Sequence, residues 1–341
     1  MRFGVVLPIQ DTQEPLDVLL DQLRAEVRAA DEAGFDAFFL PEFHQTRAGG
    51  VVSPLLTGAA LAEGTRRIRA GQAVVPGPLY HPVRLAEDAV MLSWLTRGRA
   101  LLGVGVGHLP PDFELYGVDR GTRFGRLRDL LDVLDAAWGG APFDITGRYG
   151  HWRGHVTPAP YGGVRPELVL GAHGPRGLAL AGQRADLWLS DPQRHVDVVA
   201  GLAGQVRAAA AAAGREVRIG MFRDGWIGDS REECEKVWLP HAMAVHRLYF
   251  NVGVYLAEFE PWVGRVRSRE DFTASLVAPG RLLYGTGAQL RAEIADWRQR
   301  TGMEYLVVRM RQPGGPGHQA TLTAIARFGA EVIGPMQGGA Q

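Results

Sequence analysis

The chain has 341 residues, with 37 Lys and Arg balancing 37 Asp and Glu, so it offers no electrostatic footprint for nucleic acid or an anionic membrane surface. Its apolar content of 46% is ordinary for a globular protein, and no apolar stretch approaches the roughly 20 residues that cross a bilayer. Cys234, the only cysteine, can form neither an internal disulfide nor a multi-thiolate metal site. The opening MRFGVVLP enters a strand directly, with no apolar leader, so the expected location is the cytoplasm. The length suits one α/β barrel with insertions, and a single domain over residues 1–341 is the expectation.

Residues 2–7 read as a short apolar strand, and Leu16, Leu19, Leu20, Leu23, Val27 and Ala30 then mark one face of a helix ending at Gly34. The second strand is 35–40, from whose carboxyl end the loop PEFHQTRAGG departs, and a helix follows at 54–63. A third strand at 68–75 is stopped by Pro76-Gly77-Pro78, and Pro82 suits the first turn of the next helix. That helix carries Leu85, Val90, Met91, Leu92 and Leu95, stops at Gly98, and leads to a fourth strand at 100–106. Two strands joined by a helix run parallel.

Phe124, Leu127, Leu131, Leu134 and Trp138 mark the next amphipathic helix. Residues 141–163, rich in Pro and Gly around HWRGH, read as an excursion or short hairpin before the fifth strand at 167–171. A helix through 178–181, a sixth strand at 187–190, an alanine-rich helix ending at Gly214 and a seventh strand at 217–221 continue the alternation. Ser230 with Glu233, and Thr286 with Gln289, have capping-box spacing. Between them, 241–285 holds Tyr249, Phe250, Tyr255, Phe259, Trp262 and Phe272 without a barrel period, and reads as an insertion before the eighth strand at 305–310. With a last helix at 322–333, the pattern predicts an α/β fold, a (β/α)8 TIM barrel with an insertion before the eighth strand.

In such a barrel the carboxyl ends of the strands carry the chemistry. In chain order they offer Gln10, then Phe43 and His44, Ala73 to Val75, Val106 and His108, His173 and Arg176, Ser190 and Asp191, Arg223 and Trp226, and finally Arg309 and Arg311. No His-x-His follows the first strand and no carboxylates recur at successive ends, so metal-dependent hydrolase and enolase-type sites lack ligands. Lys236, the only lysine, sits in the charged helix REECEKVW, which removes Schiff-base chemistry. His151 and His155 have metal-like spacing but no third ligand, and no metal is expected. Gly103, Gly105 and Gly107 lack the last glycine of a dinucleotide fingerprint, and read as a tightly packed strand end. Apolar walls with a few histidines and several arginines suit a flat aromatic cofactor with an anionic tail.

The run HPVRLAEDAVMLSWLTRGRALLGVGVG, followed by DFELYGV, resembles the bacterial luciferase family of flavin-dependent monooxygenases. The likeness continues in MRFGVVLP, in GFDAFFLPEFH and in ELVLGAHGPRGLALAGQRADLWLS. The resemblance implies an enzyme that takes reduced FMN from a separate NAD(P)H flavin reductase, adds O2 at the ring carbon C4a and oxygenates a small organic substrate. Ala73 and Val74 align with the segment that lies against the flavin ring, where the family can carry a non-proline cis peptide. The cofactor contacts implied are Gln10, Ala73, Val74, Val106, Gly107, Ala172, His173, Gly174, Arg176 and Ser190.

Where the family carries Glu-His-His, this chain has Glu42-Phe43-His44, so Phe43 replaces the catalytic histidine and His44 or His108 becomes the candidate. Val106 stands where the family has its phosphate-binding arginine, but Gly171 to Arg176 open a helix whose N–H groups and Arg fork make an anion site. Arg309 and Arg311, with Gly314 and Gly315, are a rival phosphate site. Phe43, Trp226, Tyr249, Tyr255 and Trp262 are the expected substrate contacts, the last three from 241–285 acting as a lid. Two other readings keep the fold: a 5-deazaflavin coenzyme used for hydride transfer, or a non-catalytic flavin-binding subunit. A homodimer is expected through Ala59, Ala60, Ala62, Met91 and Leu95, because related barrels pair through helices flanking the second and third strands.

Overall fold

The short apolar runs form strands that pair in parallel around a near-closed barrel, in a computed structural model that describes residues 1–8, 14–45, 51–268 and 270–338. The strands are β1 (Arg2–Val6), β2 (Ala37–Leu40), β3 (Arg69–Gln72), β4 (Val75–Pro76) and β5 (Leu101–Gly105), then the antiparallel hairpin β6 (Phe143–Thr146) and β7 (His151–Gly154). They continue with β8 (Glu167–Gly171), β9 (Leu187–Ser190), β10 (Arg218–Ile227), β11 (Leu282–Gly285) and β12 (Tyr305–Arg309). Hydrogen bonding runs β3-β2-β1-β12-β10-β9-β8-β5-β4. Since β3 and β4 are two pieces of one pass of the chain, the two ends of that path meet.

Around this ring stand α1 (Leu16–Glu32), α2 (Pro54–Ala62), α3 (Pro82–Leu95), α4 (Pro110–Leu115), α5 (Arg123–Trp138), α6 (Pro175–Arg184) and α7 (Val196–Ala212). They are followed by α8 (Arg231–Val237), α9 (Leu239–Asn251), α10 (Ala274–Val277), α11 (Gly287–Thr301) and α12 (His318–Phe328). Alternate strand positions point to opposite faces. Val6, Ala37, Phe39, Leu101, Val169, Leu187, Leu189, Tyr305 and Val307 fill the barrel interior, with Ala73 and Phe222 against them. Their neighbours Val5, Phe38, Leu102, Leu168, Trp188, Met221 and Leu306 join the core beneath the helices. Burial on both faces explains why these strands read as continuous apolar runs.

The first residues of several strands close the amino end with a charged plug. Arg69 pairs with Asp36 and, at 2.7 Å, with Glu167; Arg218 also pairs with Glu167, and the Tyr305 hydroxyl donates to Asp36 at 2.5 Å.

Two departures from the sequence pattern position the site. The third strand is not continuous over 68–75: it breaks at Ala73–Val74, where the peptide is cis. The glycines of β5 and β8 accommodate this break, for a Cβ on Gly103 would stand 1.8 Å from the Gln72 carbonyl oxygen, and one on Gly105 2.9 Å from Val74 Cγ2. The seventh strand runs on past residue 221 as β10, because Asp224 to Ile227 pair in parallel with Leu282 to Gly285 of β11. The range 241–285 therefore holds the body of α9, α10 and a strand, and Phe250, Tyr255, Trp262 and Phe272 cluster there with ring centroids 5.2 to 6.5 Å apart.

Gly103→Ala is expected to cost about 3 kcal/mol or more, since its methyl group would collide with backbone. Gly201→Ala, open and exposed in the middle of α7, is expected to stabilise by up to ~1 kcal/mol. Urea unfolding midpoints of the two variants check both.

Candidate active site

Glu42 and His44 follow β2 at the carboxyl end of the barrel and are both buried. His44 Nε2 lies 2.8 Å from Glu42 Oε1, and the Tyr80 hydroxyl donates to Glu42 Oε2 at 2.6 Å. An ionised carboxylate only accepts, so beside ionised Glu42 the ring proton sits on Nε2 and Nδ1 is the nitrogen that accepts. Nδ1 stands 3.5 Å from the Tyr116 hydroxyl, and the two rings are 5.0 Å apart. Burial pushes the Glu42 carboxyl up, against the pull of the Tyr80 and His44 hydrogen bonds.

Asp112, buried in α4, is pushed up by burial and drawn down by His44 and His108. His108 lies at the exposed rim, yet the protein crowded round its ring holds it below the usual histidine value, with Asp112 opposing and His173 reinforcing. His44, Asp112, His108 and His173 therefore share one electrostatic neighbourhood. Phe43 is partly buried beside His44.

Ala73 faces the barrel interior, and Val106 and Ala172 pack on the surrounding core. Gly107 turns the chain at φ 70°. The Ala172 carbonyl accepts from Trp188 Nε1 at 2.9 Å, and His173 Nδ1 lies 3.8 Å from Asp191 Oδ2. Gly174 caps α6, and Ser190 is buried with no hydrogen-bond partner for Oγ among the described residues. Arg176 is exposed, its guanidinium 4.1 Å from the centre of the Phe124 ring. Burial and the neighbouring Arg120 both push the Arg123 guanidinium below its ordinary value. Gln10 lies outside the described residues.

The opposite wall holds a polar network that sequence reasoning missed. Asp224 on β10 and Arg309 on β12 are both buried and paired, Nε to Oδ1 at 2.5 Å and Nη2 to Oδ2 at 3.0 Å. Gln312 Nε2 donates to Oδ1 at 2.7 Å, and His246 Nε2, from α9, lies 2.9 Å from Oδ2. His246 Nδ1 is 2.5 Å from the Tyr255 hydroxyl, and Arg309 Nη1 donates to the Tyr249 hydroxyl at 2.9 Å. Burial alone would raise the Asp224 carboxyl, but Arg309 and His246 hold it well below the usual range. The signal in the sequence is alternation: Gly220, Phe222 and Asp224 share a face of β10, which a strand of residues 217–221 does not include in full.

The arginines of the rival phosphate site are both ion-paired. Arg309 is committed to Asp224, and Arg311 Nη1 lies 2.7 Å from the buried Glu26. Among the described residues, no carboxylate lies within ion-pair distance of Arg120, Arg123 or Arg176. Of the expected substrate contacts, Tyr249 is partly exposed, whereas Trp226, Tyr255 and Trp262 are buried. Trp262 Nε1 donates to Glu260 at 2.9 Å. His151 pairs at 2.5 Å with Asp144 on the exposed hairpin, and the described residues hold no cluster of three or more His, Cys, Asp or Glu able to bind a metal.

Asp224→Asn is expected to cost about 3–5 kcal/mol near neutral pH, because Arg309 would be left buried and uncompensated. The folded-state pKa is depressed, so the stabilisation is complete above the ordinary aspartate value of ~3.9 and is lost as pH falls toward the depressed value. Urea unfolding of wild type and variant should show the gap narrowing in acid.

The sequence pattern of the luciferase-like monooxygenase family matches residues 1–305. The chain is 34% identical over 219 residues to a 4-hydroxyprotoasukamycin monooxygenase of Streptomyces nodosus subsp. asukaensis, which covers 60% of this chain and 58% of that relative. Among solved structures, it resembles the oxygenating constituent of 3,6-diketocamphane monooxygenase of Pseudomonas putida in complex with FMN, with TM-score 0.82, 18% identity and 97% of each chain covered. It also resembles the coenzyme F420-dependent tetrahydromethanopterin reductase of Methanopyrus kandleri, with TM-score 0.75, 18% identity, and 98% of this chain and 99% of that one covered. At these identities the two structures speak for the fold.

Proposed function

The chain belongs to the luciferase-like monooxygenase family, and from that premise we propose that it oxygenates a small organic molecule with O2, using reduced FMN supplied by a separate NAD(P)H flavin reductase. The observation that carries this reading is the join of an apolar shelf to an unneutralised cationic rim. Ala73 and Val74, backed by Gly105 and Gly171, leave room for the close approach of a flat ring. Arg120, Arg123 and Arg176 provide charge for a phosphate-bearing tail. These residues fit a flavin mononucleotide, which Ala73, Val74, Val106, Gly107, Ala172, His173, Gly174, Arg176 and Ser190 would hold.

When bound, the reduced flavin supplies the two electrons that activate O2. The chain's own part is to hold the reactants dry and to place protons. His44 accepts or returns a proton at Nδ1, with Glu42 fixing its tautomer and Tyr80 fixing Glu42. His108 and Asp112 set the local field beside it. Phe43 supplies an apolar face toward the substrate. Residues 241–285 cover the site, with Tyr249 reaching toward the mouth while the aromatic cluster holds the cover together. Two copies pair through α2 and α3, where Ala60 is exposed and Met91 and Leu95 are 45% and 64% exposed; of the expected contacts Ala62 is buried and takes no part, and Leu56, 73% exposed, adds to the face.

A 5-deazaflavin coenzyme is the second reading, favoured by the shared fold with the F420-dependent reductase. Supplying reduced FMN, O2 labelled with heavy oxygen and a panel of small organic substrates tests the first reading. The expected result is a product that gains one labelled oxygen atom, and His44→Ala is expected to slow it about a hundredfold or more. Selective binding of the deazaflavin without label incorporation would favour the second reading.

Arg176→Ala is expected to weaken FMN binding about ten- to a hundredfold, the worth of a charge-assisted contact of roughly 1.5–3 kcal/mol. Fluorescence titration with FMN measures it. Unchanged affinity would move the phosphate to Arg120 and Arg123.

A further inference from the structure

We propose that Tyr249 donates the hydrogen bond that fixes the substrate by an oxygen atom, so that this site takes a neutral oxygen-bearing molecule, a ketone, enone or phenol, in preference to a hydrocarbon. The inference deepens the function proposed above and rests on it for the word substrate. Its ground is the geometry of one wall.

Following the ring of strands from β4 through β5, β8 and β9, the next strand is β10, and β12 lies beyond it. Asp224 and Arg309 therefore stand across the mouth from Ala73 and Val74. A molecule lying over that shelf turns its far side to Arg309 and Tyr249.

The chemistry of this wall is fixed by what is already committed. Arg309 gives Nε and Nη2 to the two oxygens of Asp224, and Nη1 to the Tyr249 hydroxyl at 2.9 Å. Its charge is cancelled by Asp224, so the wall has no net attraction for an anion. Asp224 is in turn filled by Gln312 and His246. The phenol oxygen of Tyr249 thus accepts from a guanidinium, and its own O–H must donate elsewhere. Among the described residues it has no acceptor. A hydroxyl that accepts from a cation is a stronger donor.

The surroundings set what the donor meets. Below it, Phe222 and Val307 are apolar, and the Arg309 guanidinium lies 5.4 Å from the Phe222 ring centre and 5.8 Å from that of Tyr249. A single fixed donor above an apolar floor reads one acceptor on an otherwise apolar molecule. The brace from His246 to Asp224 holds α9, and Tyr249 with it, at a set distance from the floor.

The test titrates the flavin-free, full-length protein with two matched pairs, carvone with limonene and 2-naphthol with naphthalene, following tryptophan fluorescence. In wild type the oxygenated member of at least one pair should bind about tenfold more tightly than its hydrocarbon. Tyr249→Phe should lower that affinity about tenfold, the worth of one hydrogen bond of roughly 1.4 kcal/mol, and leave the hydrocarbon unchanged. Equal affinities within both pairs, a preference that survives in Tyr249→Phe, or no binding of any probe overturns the proposal. No flavin or O2 enters this titration. A preference that depends on Tyr249, in a protein that incorporates no labelled oxygen, would sink the flavin reading alone.

Discussion

A carboxylate sealed from water must be surrounded by donors, and Asp224 shows how much of this molecule that one requirement organises. Its two oxygens receive Arg309 from β12, Gln312 from the loop after it and His246 from α9. None of these groups is near Asp224 in sequence. Their convergence fixes the register of two neighbouring strands at their carboxyl ends and ties α9 to the barrel. The same carboxylate consumes the charge of Arg309, and so decides that the far wall of the mouth is polar but neutral.

The near wall solves a different problem with similar means. Phe43 takes the place at which the sequence resemblance leads one to expect a histidine, yet His44 is buried beside it with a carboxylate on one ring nitrogen and the Tyr116 hydroxyl on the other. The tautomer is set from behind by Glu42, and Glu42 is set by Tyr80 from the turn between β4 and α3. Two layers of hydrogen bonding thus stand behind one imidazole. Such backing keeps a ring nitrogen aimed in one direction.

The barrel was legible because each strand is buried on both faces and each helix on one, which leaves period and punctuation in the sequence. Strands β8 and β9 fall at the expected residues, the hairpin of β6 and β7 sits inside the expected excursion, and Thr286 with Gln289 forms the full capping box. Pairing was less legible. The pattern ends the seventh strand early, where the apolar run gives way to the charged pair Arg223-Asp224, and it leaves β11 inside an aromatic stretch that has no barrel period. The site divides in the same way. Local features such as the run from Glu42 to His44 and the opening of α6 are visible as motifs. Contacts between distant segments, Glu42 with Tyr80 or Asp224 with His246, leave no spacing to read.

The charged plug at the amino end has a bearing on traffic. Arg69, Asp36, Glu167, Arg218 and Tyr305 interlock across the strand starts, and the interior above them is packed with side chains. The barrel is thus closed at its amino end. Under the function proposed here, cofactor and substrate would enter and leave past the same carboxyl rim, so the one that sits deeper would arrive first and depart last. A queue of that kind is imposed by the shape of the vessel, with no need for any occupant to recognise another.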